Sequence, residues 1–328
     1  MIVVTGAAGF IGSCIVARLN ERGEKNLVLV DHFEDGDLKA TKDIRRANCQ
    51  NKGFVQYIDK KDFLKSIVED RLNFKIDCLI HMGACSSTTL QDAQYFEENN
   101  FQYTLKLAEW ALKHDVRFIY ASSAATYGDG RFGYKDDDET TRRCQPLNLY
   151  GQSKQKFDLW VLNNHVSDKV VGFKFFNVYG PNEYHKGEMQ SVVAKNYERV
   201  VRTGKIQLFK SYKKEYQDGE QRRDFIYVKD AVEIVTFFVD HASINGIFNV
   251  GTGRSETWND LAQGLFKAAA KSLSVEYIDM PEELKSRYQY FTQADIFKLR
   301  QAGYQNQLMN LEQGIGDYVR YLKNHSCW

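Results

Sequence analysis

The chain has 328 residues, with 44 Lys or Arg against 43 Asp or Glu, so its formal net charge is +1. This length predicts about two domains, or one large one. The even charge balance argues against a nucleic-acid partner. Apolar runs such as Ile234–Val239 are far shorter than the roughly 20 residues of a membrane span, so we expect no membrane partner either.

The first residues and the six cysteines bear on the compartment. Met1 to Val4 form an apolar stretch with no basic segment ahead of it, so we expect no signal peptide. No two cysteines form a CxxC pair, and no His–Cys cluster has zinc spacing, so we expect no metal site. Reduced thiols are typical of a cytoplasmic protein.

Short apolar runs alternate with helix-period segments over the first half of the chain. The predicted strands are Ile2–Val4, Leu27–Val30, Cys78–His81, Phe118–Ala121 and Val170–Phe176. The predicted helices are Ile11–Glu21, Phe63–Asp70, Phe96–His114 and Ser153–Asn163. Unbroken apolar strands joined by helices predict a doubly wound parallel sheet of the Rossmann type, an α/β fold covered on both faces.

The second half of the chain is less regular and predicts a smaller α+β region. Tyr212–Arg223 is charged and is expected to be a loop, whereas Val228–Asp240 and Asn259–Lys271 have helical patterns. We therefore expect a dinucleotide-binding domain at residues 1–176, with the chain returning to it at about 224–253. Residues 177–328 form the second domain.

A glycine motif follows the first predicted strand and opens the first helix. Its spacing is GxxGxxG, with Gly6 for the tight turn, Gly9 for close approach of a pyrophosphate and Gly12 for helix–strand packing. The free N–H groups of the helix N-terminus would then face the phosphates. The motif predicts a nicotinamide dinucleotide cofactor.

The residues at the end of the second strand and after it do not decide between NAD, with a ribose 2′-hydroxyl, and NADP, with a 2′-phosphate. Asp31 ends that strand, 19 residues after Gly12, and an acid there accepts hydrogen bonds from a ribose hydroxyl, which favours NAD. Lys39 and the pair Arg45-Arg46 lie downstream, where they would instead meet a 2′-phosphate. Farther along, the small residues of Met82–Ser86 follow another strand and would let backbone pass close to a ligand. Asn99 is a candidate anchor for that loop.

Tyr150 and Lys154 form a YxxxK pair. Residues four apart share one face of a helix, so the Lys154 ammonium is expected to lower the pKa of the Tyr150 phenol, which is about 10 when unperturbed. That change makes the phenol a usable base near neutrality. Ser123, at the end of a predicted strand, is placed to hydrogen-bond the same substrate oxygen.

This Ser, Tyr and Lys set, in this order after the glycine motif, resembles the extended short-chain dehydrogenase/reductase family. Three later stretches match as well, namely FNVYGP at 176–181, RDFIYV at 223–228 and FNVGTG at 248–253. The resemblance implies that the first half binds NAD(P) and the second half binds a nucleotide sugar. Dehydratases of the family carry an acidic pair where this chain has Ala124-Ala125, so epimerisation or simple dehydrogenation is favoured over dehydration.

Within the family, the chain is most similar to the branch that acts on ADP-linked heptoses. The motifs that carry this closer resemblance are GACSSTT at 83–89, ASSAATYG at 121–128, HKG at 185–187, and RYQ with FTQAD at 287–295. The resemblance implies inversion of C6 of an ADP-heptose for the lipopolysaccharide core, a tightly bound NADP, with NAD as the alternative, and a homo-oligomer, typically a pentamer. It also implies that Tyr150 serves one epimer as acid/base and Lys186 the other.

The resemblance also assigns binding residues. On the cofactor side, together with the glycine motif, they are Phe10, Ile11, Asp31, His32, Lys39, Lys60, Met82, Gly83, Ala84, Cys85, Ser86, Asn99, Lys154, Val178 and Lys186. On the substrate side they are Asn177, Glu188, Lys195, Phe209, Arg223 and Tyr288. Glu188 and Lys195 replace the Ser and His that are common near the substrate, and Arg223 is placed to pair with the diphosphate.

Two other functions compete with this interpretation. One is another nucleotide-sugar epimerase or reductase on the same scaffold, which would act on a different hexose or heptose. The other is a regulatory protein that senses NAD(P) without chemistry. That second function predicts a broken YxxxK pair, whereas this chain keeps Ser123, Tyr150 and Lys154.

Overall fold

The computed structural model describes residues 1–32, 39–285 and 288–328, without the side chains of residues 39–42 and 283. The strands, in chain order, are β1 Ile2–Thr5, β2 Leu27–Asp31, β3 Gln56–Asp59, β4 Cys78–His81, β5 Arg117–Ser123, β6 Val170–Phe175, β7 Asn177–Tyr179, β8 Ile206–Phe209, β9 Arg222–Arg223, β10 Phe225–Tyr227, β11 Gly246–Val250, β12 Glu256–Thr257 and β13 Val275–Ile278.

The helices, in chain order, are α1 Phe10–Glu21, α2 Lys39–Ala47, α3 Lys60–Val68, α4 Ala93–Phe96, α5 Tyr103–Lys113, α6 Asp138–Arg143, α7 Leu149–Asn163, α8 Val192–Thr203, α9 Val228–Asp240, α10 Trp258–Ala268, α11 Glu282–Lys285, α12 Phe297–Gln301 and α13 Leu311–Asn324. A π-helical turn, Glu97–Gln102, joins α4 to α5, and 3-10 segments cover Ala124–Tyr127 and Tyr184–Met189. No helix in the described ranges has the length and hydropathy needed to cross a membrane.

Seven of the described strands form one parallel sheet in the order β11-β6-β5-β4-β1-β2-β3. Every residue of β2, β4, β6 and β11 is buried, as expected for strands covered on both faces. The predicted doubly wound α/β fold is confirmed. The order reverses at β1, whose neighbours are β2 and β4, and such a reversal opens a crevice at the carboxyl ends of the strands.

Alternation along β1 shows how the sheet divides the core. Val3 points to the face covered by α3, α5 and α7, where it belongs to a cluster with Leu107 and Phe157. Val4 points to the other face and joins a cluster with Ile15 of α1 and Val235 of α9. Successive strand residues face opposite sides, so both faces need apolar side chains.

The structure differs from the sequence prediction in several places, three of which bear on the sheet and the site. Strand β3 was not predicted, because Gln56–Asp59 is a partly exposed edge strand without an apolar run. The predicted helix Phe96–His114 contains the π-helical turn. The predicted loop Tyr212–Arg223 ends in β9, which pairs with β12.

The second half contributes to both parts of the molecule. Strand β11, within the range 224–253, joins the main sheet beside β6. The remaining strands of this half pair in twos, β7 with β10, β8 with β13 and β9 with β12. Residues of β7, β10 and α10 supply part of the lining of the cleft described next.

Candidate active site

A cleft of about 930 Å³ opens at the carboxyl edge of the main sheet. Its lining includes the residues that follow β1, β4, β5 and β6, which are the strands around the reversal of strand order. Most of the predicted site residues line it, namely Gly6, Gly9, Phe10, Ile11, Gly12, Asp31, His32, Lys60, Met82, Gly83, Ala84, Cys85, Ser86, Asn99, Ser123, Tyr150, Lys154, Asn177, Val178 and Lys186.

The glycine motif forms the floor of the cleft where β1 meets α1. Gly6 has φ +67°, and a Cβ there would lie 2.6 Å from the Gly83 nitrogen. A Cβ on Gly12 would lie 2.1 Å from the Gly6 carbonyl oxygen. Larger residues at either position would push the turn and the helix apart, so the motif fits a dinucleotide cradle.

The N-terminus of α1 is open toward this cradle. Gly9 is the cap residue and makes no side-chain cap hydrogen bond. An α-helix leaves its first N–H groups without intrahelical partners, and here they belong to Phe10, Ile11 and Gly12, which line the cleft. These donors and the helix dipole suit a pyrophosphate.

Asp31 is buried at the adenosine end of the predicted cofactor site. Its carboxylate accepts hydrogen bonds from the Ala8 nitrogen at 2.8 Å and the His32 nitrogen at 2.8 Å, and pairs with Arg45 at 2.5 Å. Burial alone would raise its pKa, but the His32 hydrogen bonds and the Arg45 charge outweigh burial and lower it. The side chain of Lys39 lies outside the described residues.

The Met82–Ser86 loop is anchored by Asn100, and the expectation for Asn99 is wrong. Asn100 accepts from the Cys85 nitrogen at 2.8 Å and donates to the Cys85 oxygen at 2.9 Å. Asn99 instead accepts from the Lys60 ammonium at 3.0 Å and lines the cleft. The two asparagines therefore point in different directions from the π-helical turn, and Asn100 is the one that faces the loop.

Ser123, Tyr150 and Lys154 meet in the cleft, as the sequence predicts. The Asn148 side chain accepts from the Gly151 nitrogen at 2.8 Å and starts α7 there, which places Tyr150 and Lys154 one turn apart. The Ser123 side chain is near enough to the Tyr150 phenol to lower its pKa, against the effect of burial.

The electrostatic effect on Tyr150 differs from the expectation. Burial raises the pKa of the Tyr150 phenol, and the Ser123 side chain only partly offsets that rise. The Lys154 ammonium donates to the Ala121 carbonyl at 2.7 Å, at the end of β5. Burial lowers the pKa of Lys154 to about 8, although the Asp158 carboxylate opposes that change.

A buried ion pair lies beneath these groups. Lys174 on β6 and Asp158 on α7 approach to 2.7 Å and are fully buried. Asp158 also accepts from the Ser122 and Tyr120 hydroxyls, and Lys174 donates to the Thr126 hydroxyl at 2.8 Å. The pair fixes α7 against β5 and β6, the strands that frame the Ser123–Tyr150 contact.

Lys186 reaches the cleft from the 3-10 segment Tyr184–Met189. Its ammonium lies 5.1 Å from the centre of the Phe10 ring, at the start of α1. Burial lowers the pKa of Lys186, and the nearby Glu183 carboxylate opposes that change. Gly187 follows with φ +50°, which reverses the chain so that Lys186 points inward and Glu188 outward.

Phe209, Arg223 and Tyr288 form a cluster beside the cleft rather than in its lining. The Arg223 guanidinium is 6% exposed and lies 5.0 Å from the Tyr288 ring and 5.8 Å from the Trp258 ring. The Phe209 and Tyr288 rings are 6.5 Å apart. Trp258 lines the cleft and donates to the Tyr288 hydroxyl at 2.8 Å, so the cluster is continuous with the cleft wall.

Glu188 and Lys195 are not brought to the cleft. They pair with each other at 2.8 Å, and the Glu188 side chain is 99% exposed. Neither residue lines the cavity. The reversal at Gly187 turns this part of the segment toward solvent. The substrate roles of Glu188 and Lys195 remain predictions.

Sequence reasoning missed residues that hold or line the cleft. Asn48 is fully buried and donates to the Ala8 oxygen in the glycine turn and to the Asn182 oxygen near Lys186, each at 3.1 Å. Tyr95, Tyr103, His185, Gln289 and Thr292 line the cavity. His185 lies within the HKG motif, which singled out its neighbour Lys186, but Asn48 has no motif around it.

Comparison with known proteins agrees with this geometry. Residues 2–251 match the NAD dependent epimerase/dehydratase family. The chain is 47% identical over 320 residues to the ADP-L-glycero-D-manno-heptose-6-epimerase of Nitratidesulfovibrio vulgaris, covering 98% of this chain and 97% of that protein. It is 44% identical to the enzyme of the same name from Fusobacterium nucleatum, with the same coverage of both chains. The crystal structure of the Helicobacter pylori ADP-L-glycero-D-manno-heptose-6-epimerase superposes with a TM-score of 0.80 at 29% identity, covering 98% of this chain and 96% of that one.

Proposed function

Because the chain belongs to the NAD dependent epimerase/dehydratase family, we propose that it converts ADP-D-glycero-D-manno-heptose to ADP-L-glycero-D-manno-heptose by inverting C6. The names of the relatives at 44% and 47% identity support this substrate. The reaction is a transient oxidation of C6 followed by reduction from the other face. It supplies the heptose of a lipopolysaccharide core.

The observation that carries the proposal is that two side chains able to transfer protons, Tyr150 and Lys186, line one cleft. Tyr150 comes from α7 and Lys186 from the 3-10 segment, and both line the cavity that the glycine motif opens. The two epimers place the C6 hydroxyl differently, and a base must come within about 3 Å of the proton that it takes. Two groups on separate elements would each serve one of the two positions of that hydroxyl.

Each polar residue of the cleft has a distinct task in this scheme. Ser123, near Tyr150, hydrogen-bonds the substrate oxygen, which orients the C6 hydroxyl toward the phenol. Lys186 takes or returns the hydroxyl proton of the other epimer, and burial, which lowers the pKa of Lys186, favours its neutral form as a base. A bound nicotinamide would supply the acceptor and donor for the hydride of C6. Phe10, Ile11, Gly12, Lys60 and Asn99 would hold the cofactor.

We propose NADP as the resident cofactor, with NAD as the alternative. The support is the family resemblance, together with the position of Arg45, whose guanidinium pairs with Asp31 and lines the cleft at the ribose end. Mass spectrometry of the nucleotide released from denatured protein tests this choice. NAD alone in the released fraction would overturn it.

The sugar nucleotide is proposed to extend from the cleft toward the cluster around Arg223. Among the described residues, Arg223 makes a side-chain hydrogen bond to the Arg222 oxygen but no ion pair, so its charge is available for a diphosphate. Tyr288, in that cluster, and Asn177, in the cleft lining, are the further substrate contacts of this proposal. We further propose a cytoplasmic homo-oligomer, a pentamer as the family resemblance implies, and the six free cysteines fit that compartment.

A substrate panel tests the proposed function. Purified protein is incubated with ADP-D-glycero-D-manno-heptose and, separately, with UDP-galactose, and products are separated by anion-exchange chromatography and identified by proton NMR. We expect conversion of the ADP-heptose only. Conversion of UDP-galactose alone would assign the chain to another epimerase of the family, and conversion of neither would contradict the proposal.

A further inference from the structure

Glu183 is a fully buried carboxylate next to the segment that carries Lys186. One oxygen accepts from the Ser191 hydroxyl at 2.6 Å and from the Gly180 nitrogen at 3.4 Å. The other accepts from the Ser191 nitrogen at 2.7 Å. Burying a carboxylate is costly unless hydrogen bonds compensate for the lost water. The three hydrogen bonds to Glu183 supply that compensation.

These hydrogen bonds join the two ends of one loop. Gly180 and Ser191 bracket residues 181–190, and Lys186 lies in the middle. The Lys186 backbone nitrogen donates to the main-chain carbonyl oxygen of Glu183 at 3.0 Å. Ser191 at the same time caps α8, because its hydroxyl accepts from the Ala194 nitrogen at 3.2 Å. The loop carrying Lys186 is therefore closed onto the start of α8 through one side chain.

We propose that Glu183 is the positioning residue for Lys186. Its carboxylate closes the 180–191 loop, which holds the Lys186 ammonium against the Phe10 ring. Burial raises the pKa of Glu183, the Lys186 charge and the hydrogen bonds from Ser191 and Gly180 oppose that rise, and the ionised carboxylate favours the protonated form of Lys186. This inference rests on the proposed function, in which Lys186 is the acid/base for one epimer.

Of the charged and titratable groups near Lys186, Glu183 is the one that raises the pKa of Lys186. Lys186 and Tyr184 face the carboxylate from its own segment, and Tyr318 faces it from α13. His185 faces Lys186 from the adjacent position, and burial lowers the pKa of His185 to about 4, so it is neutral near pH 7. Burial lowers the pKa of Lys186, and Glu183 is the group that opposes this.

The substitution E183Q tests the inference with the full chain and ADP-D-glycero-D-manno-heptose. The amide keeps the shape but removes the charge and one acceptor, so we expect kcat to fall about tenfold or more while KM stays within about twofold and the bound cofactor is retained. One limb of the kcat–pH profile should move to lower pH by about half a unit or more, because the anion that favours protonated Lys186 is gone. The matched control is E198Q, on the exposed side of α8, which should change neither.

Several results would overturn the inference. The first is an E183Q protein with wild-type kcat and a wild-type pH profile. The second is an E183Q protein whose kcat falls while both limbs of the kcat–pH profile stay in place, which is the outcome of a merely structural role. If E183Q does not fold, S191A removes one donor to the carboxylate but keeps its charge. S191A should lower kcat and S191T should restore it, whereas equal activity in the two would contradict the role. If the wild-type protein does not convert the heptose, the proposed function is contradicted. If the wild-type protein converts it and E183Q has the same kcat and pH profile, only this inference is contradicted.

Discussion

Tyr150 shows how the setting of a single side chain decides its chemistry. The sequence predicts Tyr150 and Lys154 on one helical face, and the structure places both in the cleft with Ser123. The rise in the pKa of the Tyr150 phenol could not be predicted from the YxxxK spacing, because it results from burial. The hydrogen bond from Lys154 to the Ala121 carbonyl likewise depends on the tertiary structure. Motif residues are thus readable from sequence, whereas their electrostatics are a tertiary property.

The substitution Tyr150→Phe removes the phenol but keeps the ring. We expect turnover of the ADP-heptose to fall by about 10²- to 10⁴-fold, the usual contribution of a positioned acid/base, with the cofactor still bound. Steady-state kinetics and the absorbance of the released nucleotide measure both. Tyr277→Phe makes the same change on β13, outside the cleft lining, and should leave turnover unchanged. Near wild-type activity in Tyr150→Phe would exclude it as an acid/base.

The substitution Lys186→Met removes the second proton-transfer group at nearly constant length. Net epimerisation should fall by about 10²-fold or more, because one epimer loses its acid/base. Chromatography of the two ADP-heptose epimers reports the change, and thermal unfolding checks the fold. The exposed Lys205→Met serves as control. A variant that loses only stability, and keeps its turnover per folded molecule, would rule out two separate acid/base groups.

At the scale of elements, the π-helical turn Glu97–Gln102 determines which residues serve the cleft. It places Asn99 toward Lys60 and Asn100 toward the Met82–Ser86 loop. Sequence periodicity predicts a helix over this stretch but gives no sign of the wider turn, so the anchor is assigned to the wrong asparagine. π-helical turns frequently occur at functional sites, and this one follows that tendency.

The substitution Asn100→Ala should loosen that loop. It removes both hydrogen bonds to the half-buried backbone of Cys85, which costs about 1–3 kcal/mol in the free energy of unfolding. We also expect the protein to retain less cofactor after gel filtration, because the loop lines the cofactor side of the cleft. Chemical denaturation and nucleotide quantification measure the two effects. Asn164→Ala, at the exposed end of α7, is the matched control, and equal effects from both substitutions would contradict the anchoring role.

For the whole molecule, the parallel sheet and the place of the cleft were predictable from sequence. The apolar strands β1, β2, β4, β5 and β6 and the glycine motif were sufficient, because strand burial on both faces leaves an unmistakable pattern. The partly exposed β3, the small paired sheets and the outward turn of Glu188 were not, since they depend on contacts distant in sequence. The same holds for the fully buried Lys174–Asp158 pair, which no local pattern predicts.

The substitution Asp158→Asn should destabilise the whole molecule. Removing one partner leaves the Lys174 ammonium buried without compensation, which costs about 3–5 kcal/mol in the free energy of unfolding. The double variant with Lys174→Met should recover part of that loss. Urea denaturation measures each. Glu312→Gln breaks the exposed pair with Lys267 and should change stability little, so similar losses in both single variants would contradict the account.

The most direct test follows the hydrogen at C6. ADP-D-glycero-D-manno-heptose carrying deuterium at C6 is incubated with the protein in ordinary water, and the product is analysed by proton NMR and mass spectrometry. Transient oxidation, with the same hydrogen returned to the opposite face of C6, predicts the L-glycero epimer with its deuterium retained. Inversion with loss of deuterium to water would mean that the cleft removes a proton from carbon instead, and would contradict the central claim.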